Sequence, residues 1–453
     1  MSNVLDPFDQ TAFRFERATA MTSLIQCVWM YNRTVDIDGL RQFHHHLARG
    51  RLSRRIERSP LPFGRHRWVS PSDRPDLEIA TPRPRDEFDA WLNEQATIPV
   101  DAEHGPGWHL AALSFTDGGV GMSLVTTHTL TDGVGLYEAL ADAACGRHDP
   151  ISWPAAGSRR RWQALCEDAR QTAHDIPAIG RAVIGAARLA RRNSTRGGSA
   201  TRLPAKPPAP PAGADEPITL PTATIFIDAD EWDARAHSLG GTSNTLLEGL
   251  AARLAQRIGK VTPDGSVTLT LPINERTAGD TRANAITNVD VTVDPAPATT
   301  DLREIRAATK QALIRHQESP DELRELVPLV PLVPNQLVRR IVSEAAGGVT
   351  TAVASNPGAA PPAANRPDGT DADFFAMRSL CPGVTKATMC RAGTVLALLS
   401  GRVRRQVFVS VLAHQPGRGN SNDGLRQDLL SALSDFSLTA AGWPCPEPVS
   451  GRR

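Results

Sequence analysis

Apolar runs of strand length occupy residues 24–31, 109–115 and 120–127, and Asp117-Gly118-Gly119 between the last two supplies a hairpin turn. After Thr127 the period changes. Leu136, Leu140 and Ala144 recur at helical spacing, so the strand 120–127 runs through a short turn, about His128 to Gly133, into a helix over 135–145. Helical spacing also marks 38–48, 160–172 and 176–192. In the second half the pattern predicts a strand at 219–227 and a helix at 243–258 that opens on the cap residues Thr242-Ser243-Asn244. Strands at 267–273 and 287–293 follow, then helices at 301–317 and 335–346, with the prolines of 325–334 excluding one continuous helix. Strands at 349–354, 374–379, 394–399 and 404–412 precede a closing helix at 424–436. This order predicts an α/β (α+β) fold with a mixed sheet flanked by helices in each half.

The halves are separated by 196–217, a stretch without apolar periodicity and with a polyproline-like core, the composition of an extended linker. It divides an N-terminal unit, 1–195, from a C-terminal unit, 218–453. The 453 residues suffice for two such units with substantial cores.

Charge narrows the partners. Fifty Lys and Arg against forty-nine Asp and Glu give a net charge of +1, which removes the global electrostatic argument for nucleic acid. The cysteines Cys27, Cys145, Cys166, Cys381, Cys390 and Cys445 form neither C-x-x-C nor a metal-ligand spacing. Residues 1–10 lack a basic and apolar targeting pattern, so a reducing cytoplasm is the expected compartment. No uninterrupted apolar stretch reaches about eighteen residues, which argues against a spanning helix but not against attachment to a membrane surface. The segment 176–192 sharpens that point, with Arg181, Arg188, Arg191 and Arg192 beside Ile179, Val183, Ile184 and Leu189. It reads either as a basic amphipathic helix on anionic lipid or as a core-packed helix with solvated arginines.

The chemistry-bearing segment is Leu124-Val-Thr-Thr-His128-Thr-Leu-Thr-Asp132-Gly133. An imidazole titrates near neutrality and removes a proton from an alcohol or amine once its ring is fixed, and the end of an apolar strand can fix it. Asp132 orients the loop or accepts a buried charge, and Gly133 lets the backbone turn tightly. Read for structure alone, the same residues are a helix N-cap and a buried histidine.

The flanking residues favour the chemical reading. Residues 101–135 resemble the chloramphenicol-acetyltransferase-like (condensation-domain) superfamily, most closely its wax ester synthase/diacylglycerol acyltransferase and polyketide-associated acyltransferase branches. Those members carry Pro-Leu-Trp, a strand hairpin and then H-H-x-x-x-D-G, and here Pro106-Gly107-Trp108 precedes His128, Asp132 and Gly133. Thr242-Ser-Asn244-Thr-Leu-Leu-Glu is similar to the family's Asn-Asp helix start. Leu271-Pro-Ile-Asn-Glu-Arg276, followed by Asn288, is similar to its Pro-x-x-x-Arg strand end with a later Asn. Ala354-Ser-Asn356-Pro-Gly358 resembles its Ser-Asn-x-Pro-Gly turn, one residue shorter. Thr127 stands for the first His, Thr245 for the Asp of Asn-Asp and Gly107 for the Leu, departures that weaken assignment to wax ester or triacylglycerol synthesis specifically.

The resemblance implies two related subdomains with a channel between them. It implies transfer of an acyl group from a thioester, acyl-CoA or acyl carrier protein phosphopantetheine, to a hydroxyl or amine acceptor, oxygen before nitrogen. His128 is then the general base, no acyl-enzyme forms, and no tightly bound cofactor or metal is needed. Asp132 faces away from substrate and pairs with Arg276, supporting the site together with Gly133, while Asn356 first and Asn244 second are candidate oxyanion or substrate contacts. The alternative is a non-catalytic member of the fold that binds a carrier protein or lipid. Condensation of two carrier-bound units ranks behind both, because no adjoining carrier or adenylation segment is encoded.

Other signals are set aside. His44, His45 and His46 in one helix point about 100° apart and cannot converge on a metal, so they read as a surface cluster. Trp108, Trp153 and Trp162 read as packing residues before channel-lining ones. Cys381 and Cys390 read as small core residues.

Overall fold

The computed structural model describes residues 3–19, 21–71, 75–147, 153–195, 216–318, 326–334 and 351–443. The predicted linker through residue 215, the helix predicted at 335–346, the start of the strand predicted at 349–354 and Cys445 lie outside the described residues.

In chain order the first half contains α1 (Pro7–Thr19), β1 (Leu24–Tyr31), α2 (Ile37–Leu47), β2 (Arg55–Glu57), β3 (Arg67–Val69), β4 (Leu77–Arg83), α3 (Phe88–Gln95), β5 (Trp108–Phe115), β6 (Val120–Thr127), α4 (Gly133–Ala144) and α5 (Arg161–Thr195). The second half contains β7 (Thr222–Asp228), α6 (Ala229–Ser238), α7 (Ser243–Arg257), β8 (Val267–Asn274), β9 (Ile286–Val293), α8 (Arg303–Glu318), β10 (Thr351–Ser355), β11 (Phe374–Leu380), α9 (Lys386–Ala392), β12 (Val395–Val403), β13 (Gln406–His414) and α10 (Asn422–Asp435).

Two mixed sheets organise these elements. One has the order β11-β1-β6-β5-β4, the other β7-β13-β12-β10-β8-β9. Only β4–β5 is parallel in the first; β12–β10 and β10–β8 are parallel in the second. The first sheet is completed from the second half of the chain, because β11 pairs antiparallel with β1 from Leu24↔Leu380 to Met30↔Phe374. Every residue of β1 and β6 is buried, which accounts for their largely apolar composition: both faces of these inner strands are covered, and the polar interruptions Gln26 and Ser123 hydrogen-bond each other at 2.9 Å.

The helices α1, α3, α6 and α9 and the strands β2, β3 and β4 emerge only in the structure. The predicted helices 160–172 and 176–192 are one helix, α5, running through Pro177. Its missing N–H frees the Ala173 carbonyl, and both residues are exposed, so the freed carbonyl is not buried without a partner. Residues Val327–Leu332 form a 3₁₀ turn rather than α-helix, as their prolines require.

The histidine run is not a surface cluster. His44 is half-buried with its ring edge-on to Trp108 at 5.4 Å, and His46 is half-buried with Nδ1 2.9 Å from the Ala143 carbonyl oxygen; only His45 is exposed. Trp108 and Trp153 are core residues, whereas Trp162 is 77% exposed on α5 and is not a packing residue. Cys390 is exposed rather than a core residue, and burial pushes the Cys381 thiol up to about 11.

Candidate active site

The turn carrying His128 follows from local sequence. Strand β6 ends at Thr127, and His128 to Leu130 form a hydrogen-bonded turn closed by Leu130 N–H donating to the Thr127 carbonyl at 3.0 Å. Asp132 is extended and caps α4, its Oδ1 accepting from Gly135 N–H at 2.7 Å. The helix-cap reading is therefore correct as far as it goes. The other carboxylate oxygen reaches across to the second half of the chain, where Oδ2 accepts from Arg276 Nη2 at 2.7 Å and from Ala285 N–H at 2.8 Å. Both side chains of the ion pair are almost fully buried.

Gly135 is required by this pair. A Cβ there would lie 2.9 Å from Arg276 Nη2 and 3.1 Å from Asp132 Oδ1, so only glycine lets the guanidinium cross the helix start. Gly133 faces Pro357, whose Cβ would be 3.4 Å from a Cβ on residue 133. The turn carrying Asn356 thus packs directly on the His128–Gly133 turn.

Three residues without a sequence motif complete the support. Asp9 of α1 accepts from Ala283 N–H at 2.9 Å and Asn284 N–H at 2.8 Å. With Ala285 N–H bound to Asp132, three consecutive amides of the second half are held by two carboxylates of the first. Arg54 supplies the second buried cation, donating to the carbonyls of Leu130 at 2.6 Å and Thr281 at 2.8 Å and stacking over Trp68 at 4.3 Å. Asn284 donates to the His128 carbonyl at 3.0 Å, while His128 N–H donates to the Ser23 carbonyl at 2.8 Å. Both backbone groups of His128 are therefore fixed, with the residue itself half-buried. Asn288, which the sequence resemblance singles out, is exposed on β9; the asparagine that reaches the turn is Asn284.

The electrostatics balance: two buried carboxylates face two buried guanidiniums. Burial raises Asp9 to about 6, opposed by Arg54 and the amides of Ala283 and Asn284. Burial lowers Arg54 to about 10, which leaves it charged at neutral pH. On the other side of the turn Glu16 accepts from Thr129 Oγ1 at 2.5 Å and Thr127 Oγ1 at 3.3 Å, and burial raises its carboxyl despite these bonds. Thr127, which stands where the superfamily motif has a first histidine, is thereby a hydrogen-bond donor that ties α1 to β6.

The threonine at residue 245 also has a local account. Thr245 closes a reciprocal cap at the start of α7: its Oγ1 accepts from Thr242 N–H at 2.6 Å, and its own N–H donates to Thr242 Oγ1 at 3.3 Å. The predicted contacts Asn244 and Asn356 meet, Asn356 Nδ2 donating to Asn244 Oδ1 at 2.7 Å. Asn356 commits its own oxygen to Gly358 N–H at 2.8 Å, where Gly358 adopts φ +89°. Asn356 is thus a turn residue that orients Asn244. Among the described residues no cluster of three or more His, Cys, Asp or Glu is placed to hold a metal ion.

No protein-family model matches the chain, and no curated protein does so by sequence. Solved structures do. The first condensation domain of the CDA synthetase is 12% identical with a TM-score of 0.56, covering 97% of this chain and 99% of that one. A wax ester synthase/diacylglycerol acyltransferase from Marinobacter aquaeolei VT8 is 15% identical with a TM-score of 0.55, covering 96% and 99%. Polyketide synthase associated protein 5 from Mycobacterium tuberculosis is 12% identical with a TM-score of 0.53, covering 94% and 96%. Similarity at these TM-scores over nearly the whole of each chain shows that this protein, with its two mixed sheets, has the condensation-domain, chloramphenicol-acetyltransferase-like fold.

Proposed function

We propose that the protein is an acyltransferase that moves an acyl group from a thioester to a hydroxyl or amine acceptor. The observation that carries this reading is the division of labour in the turn. Asp132 is committed to Arg276, Gly135 and Ala285, while His128 has its backbone fixed from both sides and its imidazole uncommitted to that network. The fold shared with a wax ester synthase/diacylglycerol acyltransferase and with a condensation domain supports it.

In the proposed reaction His128 takes the proton of the acceptor hydroxyl or amine as its oxygen or nitrogen attacks the thioester carbonyl. The carbon–sulfur bond then breaks, and the thiolate leaves with the proton carried by the imidazolium. Acyl-CoA or a carrier-protein phosphopantetheine thioester is the co-substrate, and no acyl-enzyme forms. Asn244, held by Asn356, is the donor toward the developing oxyanion. Gly133, Asp132 and Arg276 support the turn.

The test is free-thiol release from acyl-CoA thioesters of graded length, with and without mixed alcohol and amine acceptors. Release that needs both acceptor and His128, lost in His128→Ala at unchanged folded yield, supports transfer. Release that persists in His128→Ala sinks the proposed base.

A further inference from the structure

Helix α5 is 35 residues long, and its outer face is not explained by packing. Ile176, Val183 and Ile184 are 60%, 53% and 53% exposed, and Trp162 at the other end of the helix is 77% exposed. Four of the ten large apolar side chains exposed in the described structure thus belong to one helix, whose opposite face packs through Ala164, Asp168 and Ala182. At about 100° per residue Trp162, Ile176 and Val183 fall within roughly 60° of one another, a single stripe along the axis.

The charges of α5 are sorted about that stripe. Its carboxylates turn inward: Asp168 meets Arg67 at 3.0 Å and Arg159 at 2.9 Å, Glu167 meets Arg159 at 3.5 Å, and Asp175 meets Arg65 at 3.4 Å. From Ile176 to Thr195 the helix has no acidic residue at all. Arg170, Arg181 and Arg188 are exposed, and their spacings of eleven and seven place them within about 20° of one line beside the apolar stripe. On that side Arg181, Ile184 and Arg188 form a cleft with Pro328.

We propose that this face of α5 docks the protein on an anionic lipid bilayer, with Trp162, Ile176, Val183 and Ile184 in the headgroup–acyl boundary and Arg170, Arg181 and Arg188 on lipid phosphates. A convex helix lying flat, apolar along its centre and purely cationic at its edge, matches an interface that is apolar beneath and negative above. No helix among the described residues is long and apolar enough to cross a membrane, so the attachment is peripheral. The proposal is independent of the acyl-transfer reading.

It is tested by flotation of the full chain with phosphatidylcholine vesicles with and without phosphatidylglycerol. The expected result is binding that needs the anionic lipid and weakens with salt. Arg181→Gln with Arg188→Gln should weaken it by roughly 30-fold, and Ile184→Asp should abolish it. Ile176→Asp replaces the latter if that variant fails to fold. Thiol release from soluble acyl-CoA should be the same in these variants as in wild type. Absence of wild-type flotation, equal binding to neutral vesicles, or unchanged binding in all variants overturns the proposal; capture only of acidic proteins does so too. A protein that floats but releases no thiol would retain the lipid surface and lose the proposed catalysis.

Discussion

Asp132 and Arg276 are 144 residues apart in the chain and 2.7 Å apart in space, each on a different half of the molecule and each almost wholly buried. The pair joins the start of α4 to the segment after β8, directly beneath the turn that carries His128. Removing one member leaves a buried charge without its partner, which costs about 3–5 kcal/mol. Asp132→Asn should therefore lower the denaturant midpoint and the folded yield, whereas His128→Ala should change neither appreciably. Equal folded yield for wild type and Asp132→Asn would show that the carboxylate does not hold the fold.

Leu130 explains why residue 107 is glycine. A Cβ on residue 107 would collide with Leu130 Cδ1, and Leu130 is fully buried among Leu5, Phe13, Ile56 and Trp68, so it cannot swing away. Gly107→Ala should destabilise the protein by about 1–3 kcal/mol. Leu130→Ala opens a cavity but removes the clash, so the double variant should lose less than the two single losses combined. Additive losses in urea melts would place the strain elsewhere.

Glu248 predicts a pH dependence. It is buried in α7, accepts from Thr309 Oγ1 at 2.6 Å, and burial raises its carboxyl from 4.5 to about 7. The folded state keeps this proton between those values while the unfolded state releases it, so stability is full below about pH 4.5 and falls as pH rises through about 7. Glu248→Gln should flatten that slope and stabilise the protein at pH 8 by roughly 1–3 kcal/mol. Denaturation curves at pH 5 and pH 8 decide it; no gain at pH 8 would mean that the charge is compensated.

Asn284 is a positioning residue, since it holds the His128 carbonyl and not the imidazole. Asn284→Ala should lower kcat for thiol release by about tenfold or more through misplacement of the base, with little change in KM. Asn284→Asp cannot donate to the carbonyl and should not rescue. A change in KM alone would assign Asn284 to substrate binding instead.

What was legible in the sequence was local. The β5–β6 hairpin, the strand-turn-helix from β6 to α4 and the cap at Thr242 depend on neighbours within a few residues, and hydrophobic period and turn chemistry report those directly. The pairing of Asp132 with Arg276 came from resemblance to a family, not from spacing, because nothing in the chain states which arginine crosses 144 residues.

The remainder required the tertiary structure. Asp9, Arg54 and Asn284 carry no motif; their function arises because α1, the residue before β2 and the segment before β9 meet at the turn, where Asp9 accepts from the amides of Ala283 and Asn284, Arg54 donates to the Leu130 and Thr281 carbonyls and Asn284 donates to the His128 carbonyl. The same holds for the edge strand β11, which leaves its own half to pair with β1. The α5 periodicity is readable in the sequence, where it fits a core-packed helix before a lipid-facing one. The packing of the rest of the chain claims the acidic face of α5 through Arg65, Arg67 and Arg159 and leaves Ile176, Val183 and Ile184 uncovered, a partition that only the tertiary structure states. Sequence determines which segments can bury a face, and tertiary structure determines which faces find a partner.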